Sequence, residues 1–533
     1  MKNLKLFIPF LLLALCTHSL QGQRYLKQVF DSVTVSKTYY GSNATVLSVA
    51  ITGHPSKVPL PVSIYTPKGD TIKLRPLVIY LHTGNFLPFP QNQGTGARTQ
   101  APTDQYAGIG ALGMGFPVDS PVVEFCTRLA KMGYVSAAID YRTGWNPVAT
   151  TQTERVNTLI NAAYRGVQDA RTAIRYFKYT VIAAGNPYRI DTSKIVLWGQ
   201  GTGGYISMAA ATMDSYADIV LKSSGKFIGA DGNPYVIQSI HGDIYGTSVG
   251  VHPLTGDTLS FPNFAGISSD FQLCVNAGGA LADSAWIDAT DLPMIGFHEP
   301  RDPFAPYKNG LVLVPQGASA PLPVVNVSGT YIAVQKTDQL GLNKKMRDLK
   351  LNDIITQNAN KKNDGIEGLY PINGNALNPY DSDPWNWWDT AVIAAVERVA
   401  KTGNNTNGLL TNPDMSAAKA RRYIDTMIAY YAPRAFAVLG LGTFVSTPEL
   451  LKDNQVGLKM RPNPMVNQTV LQTNSSYPMK SITLYDVNGR MVGQTSRLNT
   501  SEFTIERRGM PQGTYFVQIA FDKGTITKSL LIQ

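Results

Sequence analysis

The residues with the most chemical consequence lie in 194–207, where the apolar run Ile195, Val196, Leu197, Trp198 meets Gly199, Gln200, Gly201, Thr202, Gly203 and then a helical pattern. A strand, a sharp turn and a helix written G-x-S-x-G hold a nucleophilic serine above a sheet, and the glycines allow close packing around a strained residue. Here the middle position is Gly201. A glycine offers no hydroxyl, so the turn is present and its nucleophile is missing.

Other reactive types are scattered. His241 and His252 flank Asp243 in a glycine-rich stretch, which admits a metal or a substitute base but reads first as solvated loop. Thr202 and Ser207 are hydroxyls next to the turn, and Thr202 is expected to cap the helix that follows. Trp385, Trp387 and Trp388 fit either a core or a ligand platform, while Asp381, Asp383 and Asp389 around them read as a solvated loop. Cys126 and Cys274 lack metal-ligand spacing and read as small buried apolar residues. With no H-E-x-x-H or comparable set, neither a metal nor a cofactor is expected.

The elements that must position these residues alternate. Stretches 33–40 and 60–65 have strand character, with a turn at 66–70. The run 76–82 is apolar enough to be buried on both faces, as an interior strand of a mostly parallel sheet. Residues 86–120, rich in Gly, Pro, Gln and Thr, are long for a loop and are expected to border a cleft. Helical spacing over 122–132, an apolar strand at 134–141, and helical spacing over 162–177 lead to the strand feeding the turn. Short apolar runs follow at 271–275 and 292–297, then an amphipathic helix over 417–431, with a polar, irregular stretch between 339 and 416. These units predict an α/β fold, a mostly parallel sheet covered by helices on both faces.

Over roughly 30–440 the chain resembles α/β-hydrolases of the carboxylesterase kind. The resemblance rests on 78–85, on 138–144 (Ala-Ile-Asp-Tyr-Arg-Thr-Gly), on the turn at Gly201 and on 293–307. It implies that Gly84, Asn85 and the amide of Thr202 stand at the oxyanion hole, and that Asp302 is the triad carboxylate. The family's histidine follows that acid, yet His298 is the last histidine in this sequence. Where the family carries Pro-Gly-x-Gly-His, this chain reads Pro371, Ile372, Asn373, Gly374, Asn375. Asparagine cannot serve as a general base near neutral pH, so two of three catalytic positions are lost independently. His82 and His298 match structural histidines. The expected function is therefore non-hydrolytic ligand binding; the alternatives are an ester hydrolase with a relocated nucleophile or base, drawing on Thr202, Ser207, His241 or His252, and a surface interaction protein.

The final 75 or so residues change character: Pro462, Asn463, Pro464, then short alternating strands around 482–489, a Gly-x-Tyr strand at 513–517 and a terminal apolar run. This segment resembles the C-terminal sorting domain of proteins exported by the type IX secretion system of Bacteroidetes, a small β-sandwich, and the resemblance implies the secretion machinery as a partner. At the other end Lys2 and Lys5 precede an apolar run to Leu15, as in a signal peptide cleaved after Gly22; a lipoprotein reading through Cys16 is weaker because Leu15 is bulky. The expected organisation is a signal at 1–22, the hydrolase-like domain at 23–440, a linker at 441–460 and the sorting domain at 461–533, giving a secreted or surface protein. A net charge of +10 with no basic block gives no support for nucleic-acid binding. No later stretch approaches the ~20 apolar residues of a membrane span. The ligand, small molecule or surface, is not named by the sequence.

Overall fold

A computed structural model of the chain describes residues 24–87, 119–222, 225–316, 319–374, 382–386, 388, 394, 412–442, 451–487, 491–522 and 524–533. The signal segment, most of the 86–120 loop and Asn375 lie outside the described residues. The chain divides into two compact units after Gly442.

The first unit is built on an eight-stranded sheet. β1 (Val33–Thr45) pairs antiparallel with β2 (Ser56–Pro67), and β2 pairs antiparallel with β4 (Val135–Ile139). From there all neighbours are parallel: β4 with β3 (Arg75–Leu81), β3 with β5 (Ile190–Gln200), β5 with β6 (Leu273–Ala277), β6 with β7 (Met294–His298), and β7 with β8 (Leu369–Pro371). The order β1-β2-β4-β3-β5-β6-β7-β8, with helices in the crossovers, is the α/β-hydrolase arrangement that the sequence resembles. Every residue of β3, β4, β6 and β7 is buried, which follows from cover on both faces and explains why these strands read as unbroken apolar runs.

Between the strands run α1 (Ser120–Lys131), α2 (Gln152–Ala183), α3 (Thr202–Thr212) and α4 (Thr330–Gln339), and α5 (Ala417–Val438) follows β8. α2 is much longer than the 162–177 apolar pattern predicts. Its start is capped by Thr151, whose hydroxyl accepts from the Glu154 amide at 3.2 Å. Within it, buried arginines donate to distant carbonyls: Arg165 to Thr143 at 3.1 Å, and Arg171 to Ala210 and Met213 at 2.9 and 3.0 Å. α5 likewise runs through Pro433 instead of stopping at 431, because Tyr430, Tyr431, Ala432 and Ala435 bury a common face that outweighs the one backbone bond a proline removes. β8 lies inside the stretch read as irregular. The 309–329 segment forms an antiparallel hairpin that the sequence pattern does not predict.

The second unit has a three-stranded sheet, β9 (Lys459–Arg461), β10 (Gln468–Gln472) and β13 (Glu502–Glu506), and a four-stranded sheet of β12 (Met491–Thr500), β11 (Met479–Asp486), β14 (Gly513–Phe521) and β15 (Gly524–Ile532). Side chains of both sheets, among them Leu471, Ile505, Ile482, Val517 and Leu530, share one buried core, so the unit is a small β-sandwich. Leu451, Val456 and Leu458, placed in the linker by the sequence reading, belong to that core.

Candidate functional site

Gly201 ends β5 and is the N-cap of α3, with φ 53° and ψ −117°. This backbone is open to glycine and strained for any side chain, so the turn keeps the form that presents a nucleophile. The Gly201 amide donates to Ala277 at 2.7 Å, and its carbonyl accepts from Gly204 at 2.9 Å, fixing the turn from both sides. A Cβ placed on Gly201 would lie 2.1 Å from Oγ1 and 2.8 Å from Cβ of Thr83, the residue that follows His82 at the end of β3. The volume that a nucleophile's side chain needs is therefore filled by Thr83.

Asp383 approaches the same point, its Oδ2 3.6 Å from that Cβ position. Its Oδ1 would lie only 1.9 Å from a Cβ on Gly278, whose φ of 73° and missing side chain make room for the carboxylate. The expectation of a solvated loop at Asp383 is corrected: the carboxylate is packed into the turn. Trp385 is fully buried and so is core; Trp388 is also buried, beneath Arg421 at 4.9 Å; Trp387, Asp381 and Asp389 lie outside the described residues.

Gly84 and Asn85 follow Thr83 with φ 147° and 55°, and the Gly84 carbonyl accepts from Leu87 at 2.9 Å. Thr202 is the first residue of α3, where an amide has no intrahelical acceptor. The Thr202 hydroxyl does not cap the helix. It shares a hydrogen bond with the Tyr141 hydroxyl at 2.9 Å, because Gly201 already occupies the cap position.

His82, His241 and His252 each hold hydrogen bonds of their own. His82 is buried, Nε2 3.1 Å from Asp140 and Nδ1 on the Thr83 carbonyl, and its ring stacks on Tyr141 at 4.7 Å. Burial opposes charge on this ring, but the hydrogen bond to Asp140 prevails and holds its pKa above the usual histidine value. His241 accepts from the Ile237 amide at 3.0 Å, and burial drives its pKa down to about 4. His252 bonds within its own turn to Thr255 at 3.2 Å. Ser207 is buried and donates to the Val275 carbonyl at 3.1 Å, away from any reactive role.

Asp302 stands in the loop after β7, with its side chain only 2% exposed. Its Oδ1 accepts from the amides of Phe304 and Ala305 at 2.7 and 3.0 Å, and its Oδ2 from the Ser382 hydroxyl at 3.1 Å. Burial raises the carboxyl to about 7 against the lowering pull of those donors. His298 Nε2 lies 3.6 Å from Oδ2, yet the ring is neutral: burial lowers it to about 4, with Nε2–H on the Ala305 carbonyl at 3.0 Å and Nδ1 against Thr330 Oγ1 at 2.6 Å. The nearby histidine therefore gives Asp302 no countercharge. Tyr205, one turn into α3, faces the same space; burial and then the charges of Asp302 and Asp383 push its phenol up. The strand after which a triad histidine would sit, β8, leads to Gly374, whose amide donates to buried Glu299.

The site thus joins Gly201, Thr83, Asp383, Ser382, Asp302 and Tyr205. The sequence reading found Gly201 and Asp302. It missed the others because Thr83 and the 382–383 pair have no motif, and only the glycines at 201 and 278 signalled close approach. A group of three carboxylates, Asp214, Asp288 and Asp291, has ligand atoms within 4.8 Å of one another, and was also not foreseen; acidic groups of this kind are common without an ion.

Residues 459–533 match the family described as secretion system C-terminal sorting domain. No curated protein matches the chain. Among solved structures it is similar to esterase 2 of Thermogutta terrifontis phosphorylated by paraoxon, at 17% identity over 51% of this chain and 73% of that one, with a TM-score of 0.26. A propionate-bound form of the same esterase gives 15% identity, 51% and 74% coverage and a TM-score of 0.25. The fold assignment stands on strand order and direction. Among the described residues no helix is long and apolar enough to cross a membrane.

Proposed function

We propose that the first unit is a non-hydrolytic, ligand-binding relative of the ester hydrolases, carried out of the cell by type IX secretion through the second. The observation that carries the first half is the turn itself: Gly201 has no nucleophile and Thr83 fills the space one would need. Loss of a triad nucleophile typically costs about 10⁶ in turnover, leaving about 10³ over water from oxyanion donors and binding. No histidine follows Asp302 in the chain to supply the family's base.

The test is hydrolysis of short-chain nitrophenyl esters by the purified mature chain. The expected result is a rate at background and unchanged by Asp302→Ala. A second reading, a relocated hydroxyl, is favoured by one feature: Thr83 Oγ1 and an Asp383 carboxylate oxygen approach the same point. Turnover abolished by Thr83→Val would establish that reading and overturn the first. The secretion half rests on the 459–533 match. A chain ending at Gly442 is expected to remain in the periplasm of a type IX-competent host, and its appearance in the medium would refute that half.

A further inference from the structure

A groove of about 430 Å³ lies between the start of α2 and the 309–329 hairpin, lined by Gln152, Val156, Lys226, Tyr235, Leu311 and Val324 among others. Its volume falls in the range of small-molecule sites. Topology places it at the carboxyl end of the sheet, since α2 follows the carboxyl end of β4 and the hairpin follows that of β7. That edge is where open α/β sheets bind ligands. Its two walls are tied together: Gln152 Nε2 donates to the Val324 carbonyl at 2.8 Å and Arg155 Nε to the Pro323 carbonyl at 3.2 Å.

The lining carries one charged side chain, the cation Lys226. Arg155 is buried, its hydrogen bonds go to the carbonyls of Pro323 and Ala149, and no carboxylate pairs with it among the described residues. Lys226 donates to the Ala282 carbonyl at 2.6 Å and stands 3.4 Å from Asp283, which accounts for two of an ammonium's three donors. Gln152 and Thr153 open a 32-residue helix, where amides lack intrahelical acceptors and the dipole is positive. The first-turn acid, Glu154, accepts from Asn146 at 3.3 Å. Of these charged groups only Lys226 belongs to the groove's lining, and Arg155, Glu154 and Asp283 stand outside it. The rest of the wall, Val156, Leu311, Val324 and Val325, is apolar.

We propose that this groove binds a small amphipathic carboxylate, its acid group on Lys226 and the first turn of α2 and its hydrocarbon along the valines and Leu311. The inference does not rest on the elbow being inactive. Titration of the mature chain with octanoate, octanol and octylamine tests it by calorimetry. Octanoate is expected to bind saturably at one site and more tightly than either of the others. Lys226→Gln should weaken octanoate about tenfold, the worth of one charge-assisted hydrogen bond, and leave octanol unchanged. Val156→Trp should block all three by filling the groove; if that variant does not fold, the Lys226→Gln comparison decides. Octylamine binding as tightly as octanoate, octanoate affinity indifferent to Lys226→Gln, or no octanoate binding at millimolar concentration would each overturn the proposal.

Discussion

The carboxyl ends of β5 and β7 contrast. After β5 the backbone is strained and bare of a side chain: Gly201 has a positive φ, and Thr83 fills the space beside it. After β7 a carboxylate is present without a countercharge. Asp302 retains its loop and three hydrogen bonds, but with a neutral His298 beside it burial governs and the carboxyl rises to about 7. Turn geometry is thus set by local sterics and survives without chemistry, whereas a carboxylate's charge state depends on a partner and does not.

The comparison breaks most readily at β5. Gly201→Ala should destabilise the first unit by roughly 2–6 kcal/mol, combining positive-φ strain with overpacking against Thr83. Adding Thr83→Gly should recover the packing share and leave the strain. Urea denaturation of the single and double variants measures the coupling. Two independent, additive effects would mean that Thr83 does not occupy the nucleophile's place.

A smaller effect is expected at β7, and it carries a sign. The Asp302 carboxyl titrates near 7 in the fold and near 4 when unfolded, so its contribution to stability is fully present below about pH 4 and lost as pH rises through about 7. Asp302→Asn, which keeps an acceptor for the two amides, should therefore match the parent at pH 4 and exceed it at pH 8 by roughly 2–4 kcal/mol. A stability difference that is flat between pH 4 and 8, or reversed, would show that Asp302 is an ordinary ionised carboxylate and that the two strand ends do not differ as described.

How much was legible in the sequence differs between these regions for the same reason. The turn at Gly201 could be read because glycine spacing encodes local backbone, and β3, β4, β6 and β7 because strands buried on both faces read as apolar runs. The alternation of those units fixed the fold class, and the landmarks in 459–533 marked the sorting domain. Gly201 and the absence of any histidine after Asp302 already removed the usual chemistry.

Tertiary structure decided what fills the gaps. Thr83 meets Gly201 from the end of another strand, and Asp383 arrives from nearly two hundred residues away to lie against Gly201 and Gly278. Burial, a property of the assembled fold, makes Asp302 basic for a carboxylate and His298 acidic for a histidine. The buried arginines of α2 find their partners in carbonyls distant in the chain. In each case the deciding term is a contact between residues far apart in the chain, and periodicity, composition and motif spacing carry information only about residues that are near one another.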